Sequence, residues 1–280
     1  MIIVKRKVKN GIWIFPALFI VILVVYIPLL QGAFYIFTDY DGLSSSYGWI
    51  GIENITRLVK DAEFWYSLIR TFGYAVLSVT LINFCAVLFA RMLYGIKILR
   101  NALRVMLLMP NMIGGLILGF MWQYIFGTLL SEISVNGYQI VWLGDGTSAL
   151  LATVIVFSWQ YIGYFTMIYL TGLLNIPIEF LEAARLEGCN ERTLFWKLKV
   201  KLIKGEICLS LLLSFIIGFK TYDINLALTN GGPYGKTELL ALNIYNEAYT
   251  YCNFSYAQTK AVVFMLILCG GIALWQRGKE

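Results

Sequence analysis

The chain has 280 residues, of which 59% are hydrophobic and 14% charged, with a formal net charge of +6. A soluble domain is about 45–50% apolar and about 25% charged, so both figures depart toward a membrane protein and exclude a disordered chain, a disulfide scaffold and a nucleic-acid module. Histidine is absent, which excludes His-dependent triads, His-ligated metals and His proton relays.

A membrane-crossing helix needs about 20 mostly apolar residues, and six stretches qualify. The first, 12–37, follows Lys5, Arg6, Lys7 and Lys9. It is longer than the apolar run of a signal peptide and has no small-residue cleavage site, so an uncleaved span is expected, bent at Pro16 and Pro28. The others are 67–93, 104–126, 148–174, 206–229 and 259–276. Basic residues set their direction: with the N-terminus in the cytoplasm, 16 Lys and Arg fall on the inner side and 6 on the outer. That asymmetry predicts that both termini are cytoplasmic. The fold class is an all-α membrane protein of six transmembrane helices, forming a single domain over 1–280. The cysteines, Cys85, Cys189, Cys208, Cys252 and Cys269, are scattered without a CxxC pair, so neither a metal site nor a disulfide framework is expected.

The loops differ in character. Residues 38–66, 127–147 and 230–258 lie outside on this reading. The inner segment 175–205 is long and highly charged. It predicts a helix starting at Pro177, with Glu179 and Glu182 where the helix dipole favours anions. Ala183 and Ala184 offer a close-approach surface, Gly188 a corner, and a second short helix carries Phe195 and Trp196 among lysines. Two short helices about a glycine corner make a rigid plug for a soluble partner; the alternative is an ordinary interfacial amphipathic segment.

The segment Glu182-Ala183-Ala184, followed by Gly188, resembles the "EAA" loop of binding-protein-dependent ABC importer permeases, with Leu174-Asn175-Ile176-Pro177 as its lead-in and Phe195 at the family's phenylalanine. Leu198-Lys199-Val200-Lys201 lacks the family's closing proline, so the second helix is expected to run straight into the fifth span. Further likenesses specific to the carbohydrate-type members extend over nearly the whole chain. They include Trp13-Ile14-Phe15-Pro16 with Pro28, Trp49-Ile50-Gly51-Ile52-Glu53-Asn54, and Leu108-Met109-Pro110 with Trp122. Phe219 to Asp223 with Leu228 to Pro233, and Tyr245 to Ala257, continue the pattern. Arg70-Thr71 stands where the family usually has Asn-Thr.

The resemblance implies a type I ABC importer permease fold, and a transport subunit with no catalytic residue and no metal. It implies a second permease subunit, forming a heterodimer, two cytoplasmic ATPase subunits and an extracytoplasmic solute-binding protein that delivers a sugar. No cofactor is expected in this chain, since ATP and Mg belong to the partner ATPases. Glu182, Ala183, Ala184 and Gly188 would couple to the ATPases. The substrate path would use Trp159, Gln160, Tyr161 and Tyr164 of the fourth span and Lys220, Tyr222, Asp223 and Asn225 of the fifth. Sugars offer hydroxyl edges for hydrogen bonds and ring faces for aromatic stacking. The competing readings are interfacial anchoring for the aromatic residues and a mutual Lys220–Asp223 pair on one helical face.

Asn230 to Thr237 nearly spells a phosphate-binding loop, but no strand precedes it, and it reads as a turn after a span. Three rivals remain: a permease of the same type for a peptide, amino acid or polyol phosphate, a self-contained channel or secondary carrier, and a membrane-embedded enzyme. The last needs clustered ionisable groups inside the bilayer, and the span interiors read as nearly free of them.

Overall fold

Apolar length alone makes four helices able to cross a bilayer: α1 (Phe15–Tyr35), α3 (Ala62–Gly95), α6 (Gly146–Leu174) and the last, which begins at Phe254. A computed structural model of the chain describes residues 15–96, 98–131, 134–135, 138–139 and 141–277. Two helix pairs, each bent at a short break, are together apolar and long enough for two further crossings: α4 (Arg100–Met112) with α5 (Gly115–Leu129), and α8 (Glu191–Leu202) with α9 (Lys204–Phe219). The shorter helices are α2 (Glu53–Lys60), α7 (Ile178–Leu186), α10 (Asp223–Leu228) and α11 (Leu240–Tyr245); α12 is Phe254–Arg277. The described strands are the two-residue pair Ser134–Val135 and Tyr138–Gln139, joined antiparallel.

The chain divides into two compact units, one from the residues up to Phe64 together with those from Asn243 onward, the other Trp65–Leu242. In the first unit α1 packs against α12. The expected bend at Pro28 takes the form of a widened turn over Ile22–Tyr26, where the Ile27 N–H reaches back to the Ile22 carbonyl. Proline lacks an N–H and crowds the carbonyl four residues earlier, and a local π-turn relieves both. Pro16 sits in the first described turn of α1, where a missing N–H breaks no bond.

Lys260, one of the six basic residues counted on the outer side, does not lie in a loop. Helix α12 begins five residues earlier than the sixth predicted span, and Lys260 sits in its second turn, 1% exposed. Its ammonium bonds Glu247 at 2.8 Å and Asn243 at 3.0 Å, and pairs with Asp61 at 3.1 Å. Tyr256 donates to the same Asp61 carboxylate at 2.6 Å, and the Arg57 guanidinium stacks on the Tyr256 ring at 3.9 Å. A buried ammonium is tolerated only with such pairing. The last span therefore carries a buried charge, neutralised by Asp61 from far away in the sequence and by Glu247 thirteen residues before it.

In the second unit α6 is the central helix, with residues buried on most of its turns from Gly146 to Leu173. Its start is capped by Asp145, whose carboxylate accepts the Thr147 N–H at 2.9 Å; that N–H holds the carboxyl below its usual range. Helix α4 crosses α6 at Gly163, where a Cβ would overlap the Leu107 carbonyl. Lower on the same core, Asn83 of α3 accepts from Tyr169 at 2.5 Å and from Ser210 at 2.7 Å, and donates to Ser214 at 3.0 Å. Asn83 thus joins α3, α6 and α9 by a fully buried polar node.

Three expectations of continuity fail here. The third span is broken between Met112 and Gly115, and the two halves meet at 92°. Pro110 supplies no N–H, and Ile113 and Gly114 take extended backbone with ψ of 129° and 140°. The fifth span stops at Phe219 and resumes at Asp223. Thr221 turns its hydroxyl onto the Ile217 carbonyl at 3.3 Å, competing with the helical ladder. The second helix of the inner segment does not run straight into the fifth span: α8 and α9 meet at 70° about Ile203, a buried side chain whose backbone leaves the helical region (ψ 24°).

The close α4–α6 crossing gives a direct test. Gly163→Ala forces backbone against backbone and should destabilise the chain by about 1–3 kcal/mol. Gly127→Ala, where a Cβ meets nothing within 4 Å, should not. Thermal unfolding of the detergent-purified variants decides, and equal melting temperatures contradict the crossing.

Candidate functional site

The two broken spans converge. The break between α4 and α5 and the break between α9 and α10 open a cavity of about 240 Å³ against the middle of α6. Its walls include Gly115, Phe157, Gln160, Tyr161, Lys220 and Asp223. A broken helix leaves carbonyls without partners, and in hydrocarbon these must be satisfied by protein or by water in a cavity. Gln160 does this for the first break, donating to the Ile113 carbonyl at 2.9 Å. The Asp223 carboxylate lies beside Gly115, so the two breaks touch at one point.

Of the eight residues expected on the path, Gln160, Tyr161, Lys220, Tyr222 and Asp223 line this cavity. Trp159, Tyr164 and Asn225 are not among its lining residues. Trp159 lies on an exposed side of α6 with its ring 5.5 Å from that of Trp122, and Tyr164 packs edge-on to Phe165 at 5.1 Å. Asn225 is fully buried and braces the following turn, donating to Thr229 at 3.1 Å and to the Thr237 carbonyl at 2.8 Å, and accepting the Leu239 N–H at 3.0 Å. That bracing also settles Asn230 to Thr237, which is a turn with no strand before it.

Lys220 and Asp223 do not pair with each other among the described residues. They flank the break instead of sharing a helical face, and both are exposed to the cavity. Sequence reading missed Phe157, Thr221 and Gly115 as lining residues. The signal for Gly115 was Pro110 followed by Gly114-Gly115 within an apolar run.

At the other end of the unit the charged segment folds as two short helices about a glycine. Gly188 has φ +82°, donates to the Arg185 carbonyl at 3.0 Å, and is followed by Cys189 donating to the Ala184 carbonyl at 3.1 Å. This is the Schellman arrangement, which closes the last carbonyls of α7 and needs a left-handed residue. Asn190 caps α8 by accepting the Thr193 N–H at 2.8 Å, and Arg185 grips Glu191 through two nitrogens at 2.9 and 3.1 Å. Leu181 and Phe195 anchor the pair from below. The opposite face of α7 is open: Ile178, Phe180, Glu182, Ala183 and Leu186 are exposed, Leu186 at 90%.

No group of His, Cys, Asp and Glu able to hold a metal ion occurs among the described residues. The cavity chemistry is hydrogen bonding and ring contact: an amide, two phenols, a hydroxyl, one ammonium and one carboxylate. The brace at the first break is open to test. Gln160→Leu keeps bulk but removes the partner of the half-buried Ile113 carbonyl, which should destabilise the protein by about 0.5–1.5 kcal/mol. An unchanged thermal midpoint contradicts the brace.

Comparison with known proteins bears on the same regions. Residues 82–276 match the family described as the binding-protein-dependent transport system inner membrane component. The chain is 38% identical over 268 residues to the probable starch degradation products transport system permease protein of Thermoanaerobacterium thermosulfurigenes, covering 93% of this chain and 91% of that one. It is 32% identical over 251 residues to the trehalose/maltose transport system permease protein of Thermococcus litoralis, covering 86% and 85%. A chain of the crystal structure of a bacterial alginate ABC transporter, in complex with an alginate pentasaccharide-bound periplasmic protein, superposes with a TM-score of 0.82 at 14% identity. That superposition covers 97% of this chain and 94% of the other, and it shows a shared fold. With the matched region taking in the cavity, both broken spans and the glycine-cornered segment, the chain belongs to the family of binding-protein-dependent transport system inner membrane components, multi-pass permease subunits of ABC transporters.

Proposed function

We propose that this chain is the membrane-spanning subunit of an ATP-driven importer that moves a sugar or oligosaccharide delivered by an extracytoplasmic binding protein. The observation that carries the reading is the cavity at the meeting of two broken spans, lined by Gln160, Tyr161, Lys220, Thr221, Tyr222 and Asp223. Non-helical backbone at membrane depth is tolerated where it lines a cavity. Amide, hydroxyl and charged groups there suit sugar hydroxyls, and the rings of Phe157 and Tyr161 suit sugar faces. Relatives named for starch products, multiple sugars and trehalose/maltose support the same substrate class.

The chain contributes the path and the coupling, and the energy comes from elsewhere. Two cytoplasmic ATPase subunits bind ATP and Mg, and a second permease completes the path. The N- and C-termini face the cytoplasm, which puts α7 and α8 on the side of the ATPases. Exposed Ile178, Phe180 and Leu186 around Glu182 form an apolar and acidic face of the kind that a partner covers. Ala183 and Ala184 allow close seating, and Gly188 fixes the angle between the two short helices. ATP-driven approach of the ATPases then has a rigid handle that switches the spans between two arrangements.

Purification from native membranes in mild detergent, with identification of what accompanies the chain, tests the reading. A second permease and a nucleotide-binding subunit should co-purify. A chain that purifies alone, under conditions that preserve a known importer, contradicts it. In the same complex Glu182→Lys and Gly188→Pro should insert normally and lower uptake of radiolabelled maltodextrins by more than about tenfold. Normal uptake in both variants contradicts the coupling role.

A further inference from the structure

The inner end of α3 is joined to the coupling segment by a pair of cation–ring contacts. Arg91 and Tyr94 lie one turn apart near the C-terminus of α3, and Phe195 and Lys199 lie one turn apart on α8. The Arg91 guanidinium sits over the Phe195 ring at 4.9 Å, and the Lys199 ammonium sits over the Tyr94 ring at 4.2 Å. Each helix therefore gives one cation and receives one. Both distances are inside the range of about 6 Å over which a ring face attracts a cation. Lys199 and Phe195 are each 3% exposed and Tyr94 is half-buried, so the Lys199 ammonium is held away from water, while Arg91 reaches the Phe195 ring from an exposed position. Burying an ammonium against a ring has no use in a surface loop, where the same lysine would be solvated.

The rest of α3 makes this contact a mechanical one. Arg100 folds back onto the end of the helix, donating to the carbonyls of Leu93 at 3.1 Å, Tyr94 at 3.1 Å and Ile96 at 2.8 Å. The last turn is thereby closed and stiff. Higher on the same helix, the Tyr74 ring packs on Phe157 with centroids 5.6 Å apart, and Phe157 is a wall of the cavity, itself 4.8 Å from Tyr161. Gly218, the residue before the last of α9, faces Ala75, which a Cβ at that glycine would meet at 3.6 Å. One unbroken helix thus touches the coupling segment at its inner end and the cavity wall near its middle.

We propose that the reciprocal Arg91–Phe195 and Lys199–Tyr94 clasp is the joint through which the coupling segment moves α3, and through α3 the Tyr74–Phe157 wall of the cavity. The four residues are positioning residues: they touch neither substrate nor nucleotide. The proposal rests on the reading of α7 and α8 as the ATPase-coupling segment. The covalent hinge at Ile203 drives α9 directly, whereas the clasp makes α3 follow. Without it the coupling segment moves and the wall carried by α3 stays behind.

The test uses the complete transporter, with its co-purified subunits, in lipid nanodiscs. A cysteine at the cavity wall, Thr221→Cys in a background cleared of the native cysteines, reports cavity access through its rate of labelling by a soluble maleimide. Labelling is compared without nucleotide and with ATP plus vanadate. In the otherwise unaltered protein the rate should change at least fivefold. In Lys199→Met and Tyr94→Leu the change should fall below twofold, with bound ATPase and ATP hydrolysis retained. Lys199→Arg and Tyr94→Phe keep the cation and the ring and should keep the full change. A merely structural contact would instead lower the thermal midpoint of the disrupting variants and leave the nucleotide response whole. A full response in both disrupting variants overturns the clasp. A transporter whose labelling ignores nucleotide even without these substitutions overturns the coupling reading, and the clasp with it.

Discussion

Backbone polar groups cannot be left unpaired in hydrocarbon, and that single constraint organises this chain. Four helices are long and apolar enough to satisfy it within themselves. The two bent helix pairs do not, and each break is placed where something else can answer its carbonyls. At the first break Gln160 bonds Ile113; at the second, Thr221 turns onto Ile217 and the polar groups of Lys220 and Asp223 open to the cavity. The cavity is therefore more than an accident of packing. It is the polar space that answers the groups freed by two interrupted apolar helices, and the space also offers groups suited to a hydroxylated substrate.

The same accounting explains the glycine-cornered segment. A helix of nine residues has little intrinsic stability in water. Here its carbonyls are closed by the Schellman turn at Gly188, its neighbour is capped by Asn190, and Arg185 and Glu191 tie the two. The exposed ion pair contributes little energy; its geometry keeps the angle between α7 and α8 fixed. A stiff exposed element anchored on buried Leu181 and Phe195 can pass a push into the bundle, and a floppy one would absorb it.

Much of this was legible in the sequence, and the failures share a cause. The fourth span was read to within two residues and the second to within five, because long apolar runs need no tertiary information. Gly188 was read as a corner because only a left-handed residue closes such a helix. The third and fifth spans were read as continuous because average hydropathy is blind to a break of two or three residues, and Gly114, Thr221 and Tyr222 are all tolerated in apolar runs. Asn225 looked like a path residue because it is polar in a span, yet its amide is consumed by the turn that follows. Lys260 was counted as an outer charge because it stands next to the start of its predicted span, and its pairing with Asp61 is not visible in the sequence. Gln160 was found for a sugar contact, and the bond it makes is to backbone. In each case the residue type was legible and its partner was not.

The central claim is that the two breaks are open to water at membrane depth while the helix between them is closed. Hydrogen–deuterium exchange of the complete transporter in nanodiscs reads this directly. Peptides covering Met112–Gly115 and Lys220–Asp223 should exchange rapidly, and peptides from the middle of α6 should stay protected over the same time. Equal protection of all three would mean continuous spans and no cavity, and would contradict the account.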